Sequence, residues 1–361
     1  MTFLNTYQNY LIKLFLKHLL IITSIFACLT FILNILEEIK FFENLNLDIS
    51  YSFIFTFLNM PSILFEIFPF IVLISTQMFF MHLYSKDEIL IFKNYGIKNT
   101  DIIKIISYVT FLFGLFLILG FYTLSSNLKH NYLSFKNAFT DDNKYLAVIN
   151  ENGLWIKDEV NNFINIVNAE KIEGNFLKNV SISQMDSNYN FKKNIVCDKI
   201  DISNNDWIIT NATILNINGM KEEIETLEFT SNFDLNKINN LFSNLSSLNL
   251  YQLKSHYDDY KSLGYSTLDI ESYINELLSV PFYLVIMIVI GSVIMLNTKY
   301  NKSKIFNIIV GILISVSIYY VNYFFNVMGT NEKVPIFISV WFPLIILTLI
   351  STFGLLKINE K

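Results

Sequence analysis

Apolar and polar positions divide this chain into three blocks. Long apolar runs fill the first and last parts, and between them lies a stretch in which apolar and polar residues alternate. A run of roughly 20 apolar residues is enough to cross a bilayer. Such runs fall at about 11–36, 53–83, 102–126, 277–297, 304–328 and 334–357, so six membrane spans are expected. The second run is longer than needed and contains Pro61, Glu66 and Pro69. It is expected to begin as an interfacial or kinked segment.

The middle block has a different period. "KYLAVINENGLWIKDEVNNFINIVNAEKI" alternates apolar and polar residues, with a hairpin signal at Asn152-Gly153. "LKNVSISQMD", "KKNIVCDKIDIS", "DWIITNATILNING" and "EEIETLEFTS" continue as short period-two runs separated by turn residues. Strands at this spacing predict an all-β, jelly-roll-like domain. From about Ser243 the pattern becomes helical, with Gly264 as a helix stop and Ser266 or Thr267 as the next start. The expected organisation is spans 1–3 over 1–127, a β domain over 128–250, a helical connector over 251–276 and spans 4–6 over 277–361. The fold class is thus a polytopic α-helical membrane protein with a β domain inserted between helices 3 and 4.

Composition agrees. Hydrophobic residues make up 53% and charged residues only 16%, and the mean hydropathy of +0.43 lies well above that of a soluble globular protein. The first apolar run is too long for a signal peptide and is read as a retained span. Cys28 lies in the first span and Cys197 in the β block, so no disulfide framework is implied. Lysine placement orients the spans. Lys13 and Lys17 open span 1. Lys86, Lys93, Lys98 and Lys104 surround the loop between spans 2 and 3, and Lys299, Lys302 and Lys304 lie between spans 4 and 5. The loop after span 1 carries Glu37, Glu38, Glu43 and Asp48, with Lys40 its lone base. Both termini are therefore expected in the cytoplasm and the β domain on the opposite side.

The usual catalytic signatures are missing. The chain contains no G-x-x-x-x-G-K-[ST], H-E-x-x-H or G-x-S-x-G. The histidines His18, His82, His130 and His256 lack ligand spacing, so no metal site is expected. Glu66 is an acid deep in an apolar run, and such residues are functional candidates. An intramembrane enzyme using Glu66 and His82 is the reading it would support.

The loop between spans 2 and 3, "YSKDEILIFKNYGIKNTD", is overbuilt for a connection. Ser85-Lys86-Asp87-Glu88 fits a capping box, in which Ser85 accepts the Glu88 N–H and Glu88 reaches back to the Ser85 N–H. Two acids in a first turn also suit the helix dipole. Ile89, Leu90, Phe92 and Tyr95 provide an apolar side, and Gly96 provides a left-handed stop with Ile97 folding back. A helix of about ten residues is expected over roughly 85–96, across the mouth of the bundle. It is either an interfacial anchor or a docking element for a cytoplasmic partner.

"LNMPSILFEIFPFIVLIS" followed by "YSKDEILIFKNYGIKNTDI" resembles the LptF/LptG permease family, the membrane subunits of the lipopolysaccharide export ABC transporter. "GLWIKDEVNNFINI" (153–166) and "DWIITN" are similar to stretches of the LptG branch. The resemblance spans essentially the whole chain, including the six-span layout with a β domain after span 3.

The resemblance implies a non-catalytic permease in the bacterial inner membrane with a periplasmic jelly roll. It pairs with an LptF-type subunit, sits on a dimer of LptB-type ATPases beside an LptC-type single-span protein, and moves lipopolysaccharide. ATP is bound by the ATPase, this chain needs no cofactor, and no nucleic acid is involved. Ser85, Asp87, Glu88, Phe92 and Gly96 become the ATPase-coupling residues, with Glu88 the acid that seats in an ATPase groove. Lys40 falls where LptG-type chains place a base toward lipid A phosphates. This chain departs from the pattern there, with Asn34, Glu37 and Glu38 where more positive charge is expected; Lys40 also fits a snorkelling interfacial lysine. Leu154, Ile156, Ile164 and Ile166, or their alternates, become the inward face that accepts acyl chains. The rivals are an LptF-type subunit of the same machine and a MacB- or FtsX-like permease, whose large domain usually follows span 1.

Overall fold

The computed structural model describes residues 5–45, 48–139, 154–235, 237–238, 244–262, 265–297 and 304–359. The Asn152-Gly153 hairpin signal and Gly264 lie outside the described residues. The chain forms two compact units, one of Met1–Leu128 with Leu268–Lys361 and the other of Lys129–Thr267.

The first unit is helical. α1 covers Thr6–Asn44 and α2 covers Ile49–Ser85. A short α3, Glu88–Asn94, precedes α4, Asn99–Phe116. A π-helical turn, Leu117–Tyr122, leads into α5, Thr123–Ala138. Beyond the β strands come α6, Leu250–Ser262, in the second unit, then α7, Leu268–Leu296, α8, Lys304–Thr330, and α9, Ile336–Asn359. Among the described residues, six helical segments are long and apolar enough to cross a membrane. Helices satisfy their own backbone groups, which lipid cannot do. α1 and α2 each run about 55–60 Å at 1.5 Å per residue, well beyond the ~30 Å hydrocarbon layer. Pro61 and Pro69 stand inside α2 without dividing it.

Close approaches between these helices rest on small residues. A Cβ placed on Gly114 of α4 would sit 2.7 Å from the Pro281 Cα of α7. Gly311 of α8 leaves room for the buried Gln77 of α2, whose Nε2 donates to the Asn307 carbonyl at 2.9 Å. The apolar core gathers Phe15 from α1, Ile71, Phe79, Phe80 and Leu83 from α2, Ile102 and Ile106 from α4, and Leu284 and Met287 from α7. The π turn widens the helix by a residue. Tyr122 at its end is buried, with its ring 5.2 Å from Phe65 and 6.4 Å from Tyr273.

The second unit contains one antiparallel sheet: β1 Leu154–Val160, β2 Phe163–Glu173, β3 Phe176–Asp186, β4 Phe191–Asp201, β5 Asp206–Asn216 and β6 Lys221–Thr230. The strands pair in consecutive order. The inserted β domain is therefore present, and its six described strands pair as an up-and-down meander. β1 and β2 are joined through Asn161-Asn162, both at positive φ, the geometry of a two-residue primed turn.

Strict alternation, expected from the period-two runs, breaks along one row of the sheet. Inward side chains step unevenly, by two and by three: Val167, Ala169, Ile172 in β2; Leu177, Val180, Ile182 in β3; Cys197 and Ile200 in β4 with Ile202 just beyond it; Trp207, Ile209, Ala212 in β5. These three-residue steps lie side by side, because Ala169 pairs with Val180, Val180 with Cys197, and Ile200 with Ile209. Asn179 and Asn211 occupy the row on alternate strands, both left-handed, with φ 49 and 54. Asparagine tolerates that conformation better than most residues, and a left-handed residue lets the chain exchange one face for the other while keeping its apolar residues on the same side of the sheet.

A strap formed by residues 231–235 and 237–238 closes the core. Phe233 and Ile238 are buried in it, and the Trp207 indole N–H donates to the Phe233 carbonyl at 2.7 Å. Tyr265 reaches β1, where its hydroxyl accepts from the Lys157 N–H at 3.0 Å and donates to the Lys157 carbonyl at 3.2 Å.

Candidate functional site

The turn from α2 into α3 differs from the expected capping box. Ser85 belongs to the last turn of α2, and its Oγ donates to the His82 carbonyl at 2.8 Å. The chain then reverses at Asp87, left-handed at φ 57, which caps α3 without a side-chain hydrogen bond. Its carbonyl accepts instead from the N–H groups of Leu90 and Ile91. Glu88 is thereby released from a capping role. Both its carboxylate oxygens lie 2.8 Å from the hydroxyl of Tyr10 on α1.

The end of α3 is built as expected. Gly96 is left-handed at φ 81; its N–H donates to the Lys93 carbonyl at 3.0 Å, and the Ile97 N–H donates to the Phe92 carbonyl at 2.9 Å. Those two bonds are a Schellman motif. The helix spans seven residues rather than about ten, because the left-handed Asp87 moves its start past Ser85.

The apolar side chains of α3 divide between two faces. Ile89 is buried, and Phe92 and Ile97 pack on the bundle core. Leu90, Ile91 and Tyr95 point outward, Tyr95 being 82% exposed. Lys86 and Lys93 are exposed beside them. A short helix clamped to the bundle by one face thus presents an apolar, aromatic and basic surface on the other, with the Glu88 carboxylate at its N-terminal edge.

The other candidates are not gathered here. Lys40 is exposed on the last turns of α1, 30 residues from Tyr10, or about 45 Å along the helix. Asn34 is buried on the same helix, and the Asn59 amide donates to its Oδ1 at 3.4 Å. Leu154 and Ile156 lie in the β core, but Ile156 pairs with Val167, so Ile164 and Ile166 belong to the opposite face of β2. The four do not share an inward face. The alternates Val167 and Ala169 take the inward positions.

Glu66 and His82 are 16 residues apart on α2, about 24 Å along its axis, and do not form one catalytic centre. His82 faces His18 of α1 instead, with ring centroids 5.5 Å apart. Among the described residues no group of three or more His, Cys, Asp or Glu could hold a metal ion.

Two features escaped sequence reasoning. Tyr10 carries no local signal, because its partner is distant in the chain. A polar network joins α7 to its neighbours: Ser272 donates to the Asn326 side-chain oxygen, the Asn326 amide donates to Glu276, and the Trp341 indole donates to Asn275 at 3.2 Å. Polar side chains bridging apolar helices are the usual adhesive between spans.

The family model of the lipopolysaccharide export system permease LptF/LptG matches residues 9–357, nearly the whole chain. The chain belongs to the LptF/LptG family. No curated protein sequence matches it. Membership makes this an inner-membrane permease for lipopolysaccharide transport, a component of a complex with a partner permease and an ATPase, and it is consistent with a non-catalytic subunit.

Proposed function

We propose that this chain is the LptG-type permease subunit of an ATP-driven lipopolysaccharide exporter, moved by a separate ATPase through α3. The observation that carries this reading is the two-sided construction of α3. Ile89, Phe92 and the Gly96 stop hold it to the bundle, while Leu90, Ile91 and Tyr95 remain exposed beside Glu88. Exposed apolar surface around a carboxylate suits a groove on a protein partner. A push delivered there is transmitted, because the clamped face moves with α2 and α4.

The LptG assignment rests on the Leu154–Ile166 stretch, which forms β1, its Asn161-Asn162 turn and the start of β2. The lysines around α3 favour a cytoplasmic position for this helix and both termini, with the β domain in the periplasm. The partners in this reading are an LptF-type subunit, two LptB-type ATPases and an LptC-type single-span protein. ATP is bound by the ATPases, and the chain itself takes no cofactor. ATP binding closes the ATPases, draws the coupling helices together and tilts the spans, so that the acyl chains of the lipid are pushed toward the β domain. Affinity for the lipid must fall between the open and closed states for this to do work.

The test is co-purification with the ATPase and lipid-stimulated ATP hydrolysis, comparing the wild type with Glu88→Ala. Loss of stimulation with reduced association is expected; unchanged values of both would overturn the coupling role. Substrate contact is tested by a photocrosslinker at Lys40, where the absence of lipopolysaccharide adducts during turnover would remove that residue from the path.

A further inference from the structure

We propose that Tyr10 is a positioning residue for Glu88, holding the coupling carboxylate against α1 until the ATPase takes it. This rests on the coupling role of α3 and adds to it the element that restrains Glu88 beforehand. The hydroxyl of Tyr10 lies 2.8 Å from both carboxylate oxygens, so one proton is shared between two equivalent acceptors. It is a charge-assisted bond at a half-exposed position, strong enough to orient a side chain and weak enough to be exchanged for a better donor.

The location gives the contact a consequence. Tyr10 and Lys40 lie toward opposite ends of one uninterrupted helix, α1. Glu88 sits on the first turn of α3, directly after the left-handed turn at Asp87. No side-chain cap competes for its carboxylate, since Asp87 makes none and Ser85 is committed to His82. A shift of α1 relative to α2 therefore reaches the coupling carboxylate through the Tyr10 hydroxyl. An ATPase cation or amide entering this site competes with the phenol for the carboxylate, so docking and α1 position are linked through one hydrogen bond.

The experiment uses the assembled transporter in nanodiscs containing lipopolysaccharide, or lacking it. Tyr10→Phe keeps the ring and deletes the hydroxyl. Affinity for the ATPase dimer is expected to rise about 3- to 10-fold, because no hydrogen bond is broken on docking. The ratio of lipid-stimulated to basal ATP hydrolysis is expected to fall toward one. A merely structural role would instead lower the melting temperature and leave that ratio unchanged. Glu88→Ala is measured alongside. If it abolishes coupling while Tyr10→Phe matches the wild type in affinity and ratio, the positioning role is wrong and the coupling role stands. If Glu88→Ala has no effect, both are wrong.

Discussion

Asp158 is the residue in the Leu154–Ile166 stretch whose removal should be felt most. It is 1% exposed, yet it is an acid, on the inward side of an edge strand. Its burial is tolerated because the strap supplies donors: Ser231 Oγ at 2.7 Å, the Asn232 side-chain amide at 2.8 Å and the Asn232 N–H at 3.2 Å. A hydrogen bond to a charged group contributes about 1.5–3 kcal/mol. The three share one carboxylate, and Asn232 is exposed and can return to water, so their sum would overstate the effect. Asp158→Ala should weaken strap closure by about 3 kcal/mol, the upper end of that range. At 1.4 kcal/mol per tenfold, that is roughly a hundredfold rise in opening. The Leu235 N–H reports it, because it donates to the Ile202 carbonyl at 2.9 Å within the strap. Hydrogen exchange at Leu235 should accelerate about a hundredfold in Asp158→Ala, with a smaller effect in Asp158→Asn, which keeps one acceptor. Unchanged exchange at Leu235 in the alanine variant would refute this account of the strap.

Two further outcomes are expected. His256 of α6 is buried against Tyr260, with ring centroids 4.6 Å apart, and burial holds its pKa below the usual value near 6.5 despite the opposing charge of Asp259. The opened state then binds the extra proton first, so the opening equilibrium of α6, read from exchange rates corrected for their intrinsic pH dependence, should rise as pH falls from 7 toward 5, and His256→Gln should flatten that rise; a pH-independent opening equilibrium in the wild type would contradict it. Gly114→Leu drives a side chain into the Pro281 backbone of α7. Overpacking of this kind costs about 1–3 kcal/mol, so the melting temperature in detergent should fall; an unchanged value would show that α4 and α7 are not held at the observed separation.

Six spans and an inserted β region were legible from periodicity, because burial in lipid and half-burial in a sheet impose different spacings on apolar residues. The Gly96 stop was legible for the same local reason: a left-handed position after a helix favours glycine whatever surrounds it. The row at Asn179 and Asn211 was not, since alternation is judged strand by strand while the row is a property of the paired sheet. The two-residue Asn161-Asn162 turn, pairing Val160 with Phe163, placed Val167 rather than Ile166 opposite Ile156. Ser85-x-x-Glu88 read as a capping box, but α2 continued far enough to claim Ser85, and Asp87 reversed the chain instead. What the tertiary structure alone decided was the partner of Glu88. Tyr10 stands 78 residues away, and no local pattern encodes a bond that exists only because α1 packs alongside α2 and brings a phenol to that carboxylate.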